Sequence, residues 1–237
     1  MQVNSKVLAA QLALLVFFGG AVFGLAVSFP YPSPLIKPLL APKLRWPTEQ
    51  VMGWVEAGQF DRDFAQYFAR DPERQIPAGN NLVSAADGIL QRVDYREGVT
   101  YVVVGLSFWD VHVVRTPLAG TVTSIEPVGT WYDRKMPHTP QEAEQMLYLK
   151  GKSAPVQVMV TIATKLGDIR VRLITSYWAS RLRVWVHPGE KVSKGQRIGR
   201  ILLGSTVVSE FPGRVAIAAK LFGHVEGGAS VLGKVPS

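Results

Sequence analysis

From Leu82 onward the chain is written as short runs of β-branched residues broken by Gly, Pro and Asp, and this punctuation restricts the body of the molecule to a mainly β fold. The clearest runs are Val99 to Leu106, Gly120 to Ile125, Val156 to Ala163 and Ile169 to Thr175. Val156, Val158, Val160 and Ile162 alternate with less apolar neighbours, as do Ile169, Val171 and Leu173. Leu166-Gly167-Asp168 between the two runs predicts a hairpin turn. The polar, Pro-containing segment Thr130 to Lys152 reads as a long loop with a short helix at Gln141 to Tyr148.

The stretch from His187 to Gly199 sets glycines on either side of Val192, with Ile198 and Ile201 beyond. Glycines permit tight turns and the apolar residues fill a small sandwich. The expected class is therefore mainly β (α+β): a barrel-sandwich-like core with short N-terminal helices and one N-terminal transmembrane helix. Such a core serves carriers, adaptors and peptidases alike, so it identifies architecture only.

The N-terminal region follows other rules. Between Val7 and Val27 the only strongly polar side chain is Gln11, and a helix of that length rises about 30 Å, the thickness of a bilayer's hydrocarbon core. Residues 1–28 read as a membrane anchor. The alternative is a cleaved signal peptide, with Lys6 as its positive start and Ala26-Val27-Ser28 near a cleavage point. Lys37, Lys43 and Arg45 follow the span, which predicts a cytosolic body at the cell membrane. Pro30, Pro32, Pro34, Pro38, Pro42 and Pro47 then predict an extended linker over 29–47 without a core. Two helices are expected after it, Thr48 to Ala57 and Phe60 to Arg70, with Gly58 as the stop between them. Phe60, Phe64, Tyr67 and Phe68 share one face of the second, suited either to a lipid headgroup layer or to packing on a core.

Composition narrows the chemistry. The chain has no cysteine, which excludes disulfides, thiolate metal sites and cysteine nucleophiles. A formal charge of +8 suits a negatively charged partner such as an anionic lipid surface. Nucleic acid is not expected, since no finger, basic helix or aromatic RNA-binding motif accompanies the charge.

Four segments carry a more specific signal. They are Phe68-Ala69-Arg70-Asp71-Pro72-Glu73-Arg74; Val83-Ser84-Ala85-Ala86-Asp87-Gly88; Asp110-Val111-His112-Val113-Val114-Arg115-Thr116-Pro117; and Gly195-Gln196-Arg197-Ile198-Gly199 leading to Leu203-Gly204-Ser205-Thr206. In this order they resemble the phosphatidylserine decarboxylase family in its shorter prokaryotic form, with Ala85 replacing a proline and Val114 an asparagine. The resemblance runs from about Tyr67 to Pro212. It implies self-cleavage at Gly204-Ser205 into a large chain, 1–204, and a small chain, 205–237, within a domain over 48–237. It further implies a pyruvoyl cofactor made from Ser205, which serves as an electron sink when carbon dioxide leaves phosphatidylserine to give phosphatidylethanolamine. No metal is implied. The expected partners are phosphatidylserine, an anionic membrane surface and the sister chain of the same precursor; a homodimer is left open.

A serine hydroxyl on a constrained turn can attack the carbonyl before it, and Gly204 offers no side chain to block the attack. The hydroxyl needs a base, and histidine is the group suited near neutrality. Of His112, His138, His187 and His224, only His112 lies in a segment resembling the family's catalytic motif. Asp87 is expected to orient its imidazole, as the third member of a serine triad does. His187, before Pro188, reads as a surface residue, and His138 lies in the long loop. Some family members carry a second histidine where this chain has Arg115, so His112 would serve both cleavage and decarboxylation. Arg115 is expected either to contact an anionic group of the lipid or to form a structural ion pair.

A membrane-tethered adaptor with a barrel-sandwich domain also explains the span, the linker and the glycine-valine pattern. It does not explain Asp87, His112 and Ser205. A zinc peptidase fails because the chain has no His-x-His pair or His/Asp cluster with ligand spacing.

Overall fold

The computed structural model describes residues 5–128, 157–175, 181–202 and 205–235. The chain divides into two compact units, Met1–Ala65 and Gln66–Ser237. The division falls later than the expected boundary at residue 48, so the helices after the prolines do not all join the β body.

In the first unit, α1 (Ser5–Ser28) is one helix long and apolar enough to cross a membrane, and none of its side chains is buried. The prolines after it act differently from expectation. Instead of holding 29–47 extended, Pro38 sits in a 3-10 turn (Lys37–Leu39) and Pro42 begins α2 (Pro42–Arg45). A first-turn proline loses no hydrogen bond there, because that N–H has no partner within a helix. Trp46, at the end of this stretch, is buried and meets Phe64 edge-on at 5.5 Å. Trp54 and Phe60 also lie against Phe64, so a small aromatic core forms where none was expected.

The helix α3 (Thr48–Ala57) has the expected limits and ends at Gly58, whose φ of 66° permits the left-handed cap. The helix α4 (Arg62–Phe68) is shorter than expected, and the Asp61 carboxylate accepts the Phe64 N–H at its start. Phe64 and Phe68 on its aromatic face are buried, which favours packing over the headgroup layer.

The second unit is mainly β. Its strands are β1 (Asn81–Val83), β2 (Gly88–Arg96), β3 (Val99–Gly105), β4 (Val113–Arg115), β5 (Gly120–Val128), β6 (Gln157–Thr164), β7 (Gly167–Thr175), β8 (Arg181–Val184), β9 (Lys191–Val192), β10 (Arg197–Leu202), β11 (Ser205–Pro212), β12 (His224–Val225) and β13 (Val231–Lys234). An 8-stranded sheet runs in the order β12-β2-β3-β11-β7-β6-β5-β9, a 3-stranded sheet in the order β4-β10-β8, and β1 pairs with β13. Both larger sheets feed one core: Val114, Leu182, Ile198 and Ile201 from the small sheet join Leu90, Val104, Leu173 and Phe211 from the large one. This is the expected sandwich.

Register explains the alternation in the sequence. Val158, Val160 and Ile162 face Leu173, Val171 and Ile169 across β6 and β7, so each inward side chain meets an inward partner. Thr164 pairs with Gly167, which places the turn at Lys165-Leu166, earlier than expected. Gly167, with φ of 101°, opens β7 and keeps Ile169 in phase. The run in β3 is apolar throughout because both its faces are covered: Tyr101 and Val103 join Ile174 and Val208 in a second cluster behind the sheet. Beside that cluster Arg172 and Glu210 form a buried ion pair between β7 and β11. The expected long loop and its helix at 141–148 lie outside the described residues.

Gly88 opens β2 with φ of 142°, and a Cβ there would lie 2.2 Å from the Gly105 carbonyl oxygen. Gly88→Ala should therefore push β2 from β3 and destabilise the β unit by roughly 2 kcal/mol or more, read as a lower thermal midpoint. An unchanged midpoint would show that the junction relaxes freely.

Candidate functional site

Between β3 and β4 the chain folds back at Ser107 to Asp110. The Asp110 carboxylate accepts both the N–H and the hydroxyl of Ser107, each at 2.7 Å, which locks this corner. His112 follows and is fully buried. Its main chain is tied to the small sheet: Ile201 N–H donates to the His112 carbonyl at 3.1 Å, and Val113 pairs with Arg200.

The imidazole is held at one nitrogen only. Nδ1 lies 2.9 Å from the Asp110 carbonyl oxygen. A carbonyl can only accept, so Nδ1 carries the hydrogen and Nε2 is left as a bare lone pair. Nε2 is buried without a hydrogen-bond partner. The Phe68 ring covers the imidazole at 4.1 Å between centroids. Burial is the main cause that lowers the imidazole pKa to about 4; Asp110 works against it, and Arg70 and Arg200 add to it. At neutral pH the group is an uncharged base with a free lone pair, able to take a proton from a hydroxyl brought to it.

The other expected residues are placed differently. Asp87 is buried, but its Oδ2 accepts Arg74 Nη2 at 2.6 Å and its Oδ1 accepts the Gly227 N–H at 2.8 Å. Asp87 does not orient His112; the Asp110 carbonyl has that place, and the direct carboxylate-imidazole pair of a serine triad is not formed. Burial raises the Asp87 pKa against the Gly227 and Arg74 contacts, with a smaller push from Glu226 and Asp110. Arg115 is also buried and spoken for: it donates to the Gly195 carbonyl at 3.0 Å, to Asp71 at 3.0 Å and to the Pro72 carbonyl at 3.3 Å. Of its two expected roles, the structural ion pair is the one realised.

Ser205 opens β11, its backbone opposite Thr175, while Gly204 lies outside the described residues. The covalent chain keeps Ser205 within about 14 Å of Ile201, whose N–H is bonded to His112. His187 is exposed and paired with Glu190, as expected of a turn residue, and His138 lies outside the described residues.

Asp110 and His224 complete the site and were not singled out from the sequence. His224 Nε2 sits 2.8 Å from Asp110 Oδ1. Burial works to raise the Asp110 carboxyl, but the bonds from Ser107 and His224 outweigh it and the pKa is lowered. Asp110 was legible only as part of the segment around His112. Nothing in spacing links it to His224, because β12 pairing with β2 brings them together.

The family model for phosphatidylserine decarboxylase matches residues 62–233. The chain is 38% identical over 152 residues to the phosphatidylserine decarboxylase proenzyme of Streptomyces coelicolor, covering 64% of each chain. It is 35% identical over 156 residues to that of Streptomyces griseus, covering 65% of this chain and 66% of the relative. It is 30% identical over 174 residues to that of Solibacter usitatus, covering 72% and 78%. The chain thus spans slightly less than two thirds of the length of the Streptomyces relatives.

Histidine NMR tests the base. The His112 ring should stay neutral as pH falls through 6.5 and protonate only near pH 4. A midpoint at the ordinary histidine value would mean that water reaches Nε2.

Proposed function

The chain belongs to the phosphatidylserine decarboxylase family, and from that premise we propose that it cuts itself between Gly204 and Ser205 and then decarboxylates phosphatidylserine to phosphatidylethanolamine at a membrane. The observation that carries this reading is the buried, unpartnered Nε2 of His112 on a segment bonded to Ile201, just upstream of the scissile bond.

In the first step His112 Nε2 takes the Ser205 hydroxyl proton as Oγ attacks the Gly204 carbonyl carbon. The peptide C–N bond breaks and an ester forms. Loss of the Ser205 Cα hydrogen with departure of the Gly204 carboxylate leaves an alkene. Water then releases ammonia and a ketone remains at residue 205. The residues present fit this group, since a buried neutral base with an open lone pair is what its formation requires. The pyruvoyl group supplies an electron-accepting carbonyl for the loss of carbon dioxide from a lipid bearing a primary amine. His112 moves the proton in this second step as well, because Arg115 stands where some relatives have another histidine and its donors are engaged. Asp87 stays charged beside Arg74 and supports the site through Gly227 and the field at Asp110.

Cleavage would leave 205–237 held without a covalent link. Its β11 lies between β3 and β7, β12 lies on β2 and β13 on β1. Arg170 and Arg172 grip Glu210, and Arg74 joins Glu226 of the small chain to Asp87 of the large one. The helix α1 anchors the enzyme in the cell membrane, with Lys37, Lys43 and Arg45 and the catalytic unit on the cytosolic side.

Denaturing electrophoresis with intact mass should show fragments 1–204 and 205–237, the smaller with a carbonyl-reactive, blocked N-terminus. Ser205→Ala should stay whole and release no carbon dioxide from phosphatidylserine, and His112→Ala should slow cutting by roughly a hundredfold or more. A folded wild-type chain that keeps an ordinary serine joined to Gly204 would overturn the reading.

A further inference from the structure

The loop before β12 presents an apolar tip that the proposed chemistry does not use. Gly223 N–H donates to the Lys220 carbonyl at 3.0 Å, closing a tight turn with Leu221 and Phe222 at its corner. Phe222 has φ of 59°, at the turn position that ordinarily takes Gly or Asn. Despite that strain its ring is 77% exposed, and Leu221 beside it is 46% exposed. The tip is rigid: Phe222 N–H donates to the Leu90 carbonyl at 2.8 Å and Leu90 N–H to the Gly223 carbonyl at 3.0 Å. Ile89, 37% exposed, lies opposite His224 and widens the apolar surface. Lys220 is exposed at its edge, while the nearby Glu226 is held by Arg74.

The same loop reaches the candidate site, since His224 follows the turn and bonds Asp110, whose carbonyl holds His112. A strained aromatic held out in water by a clamped backbone, bordered by a lysine and joined to the site, suits one occupant: the headgroup layer of an anionic bilayer. We propose that Leu221 and Phe222 insert into the bilayer surface and set the site against it, independently of the α1 anchor. This rests on the reading that the substrate is a membrane lipid.

The chain has no cysteine, so Phe222→Cys in the full-length protein takes a single environment-sensitive fluorophore. In vesicles of phosphatidylcholine and phosphatidylglycerol, the probe should be quenched by a shallow spin-labelled lipid and shielded from aqueous iodide. A probe at Tyr95→Cys, elsewhere on β2, should show the reverse. Iodide quenching at both positions with no lipid quenching at 222 would overturn the proposal. The readout needs no turnover and should be the same in an uncut Ser205→Ala background, so failure of the decarboxylase reading would not be mistaken for failure of docking. Phe222→Asn suits the turn and should melt no lower than wild type. It should reduce turnover of phosphatidylserine in vesicles roughly tenfold while changing that of a short-chain, monodisperse phosphatidylserine less than about twofold. Equal losses on both substrates would place the tip's role inside the site and refute docking.

Discussion

A single hydrogen bond, from Nδ1 of His112 to the carbonyl of Asp110, decides what the imidazole can do. Because the acceptor is a backbone carbonyl and not a carboxylate, it sets the tautomer without placing a full negative charge beside the ring. A carboxylate there would favour the imidazolium and raise the pKa. The carbonyl, with burial under Phe68, leaves the ring neutral, its pKa lowered to about 4. The Asp110 carboxylate meanwhile serves a different purpose: bound by Ser107 and His224, it fixes the corner from which the carbonyl projects.

The placement of β11 is the second constraint. It lies inside the large sheet, with β3 on one side and β7 on the other, so its whole length is ladder-bonded on both edges. Val207, Val208 and Phe211 are buried, on the two faces of the sheet. A strand in this position cannot leave without breaking two ladders and uncovering both clusters. The backbone beginning at Ser205 is therefore held by the surrounding sheet and does not depend on the peptide bond before it.

Much of the β unit was legible because period-two alternation and cross-strand pairing express the same geometry. β6 and β7 could be read from Val158, Val160, Ile162, Ile169, Val171 and Leu173 alone, since each inward residue faces another. The hairpin turn was misplaced because glycine was taken as a turn centre, whereas Gly167 uses its positive φ to begin β7. The proline stretch misled for a related reason: proline blocks a helix interior but not its first turn, and Trp46 supplies burial that linker composition conceals. At the site, His112 could be chosen from its segment, but its neighbours could not. Asp87 is drawn to Arg74 by a charge pair across the fold, and His224 is brought to Asp110 by strand pairing. Contacts of that sequence separation leave no local pattern.

The charge of the chain has a similar lesson. An excess of +8 suggests a surface made for anions, yet several of the cations nearest the site are used internally. Arg115 holds Asp71 and the Gly195 turn, Arg74 holds Asp87 and Glu226, and Arg172 holds Glu210. Buried pairs of this kind repay little net energy, but removing one partner strands the other in a low dielectric. Their effect is to fix the distance between segments that meet only in the folded state: Arg115 ties the segment after α4 to the strand that leaves His112, and Arg74 ties that same segment to both Asp87 and the β12 loop. An arginine spent in this way cannot also move to meet a lipid phosphate. Recognition of an anionic surface then falls to residues that face water, and the geometry of the site falls to those that do not.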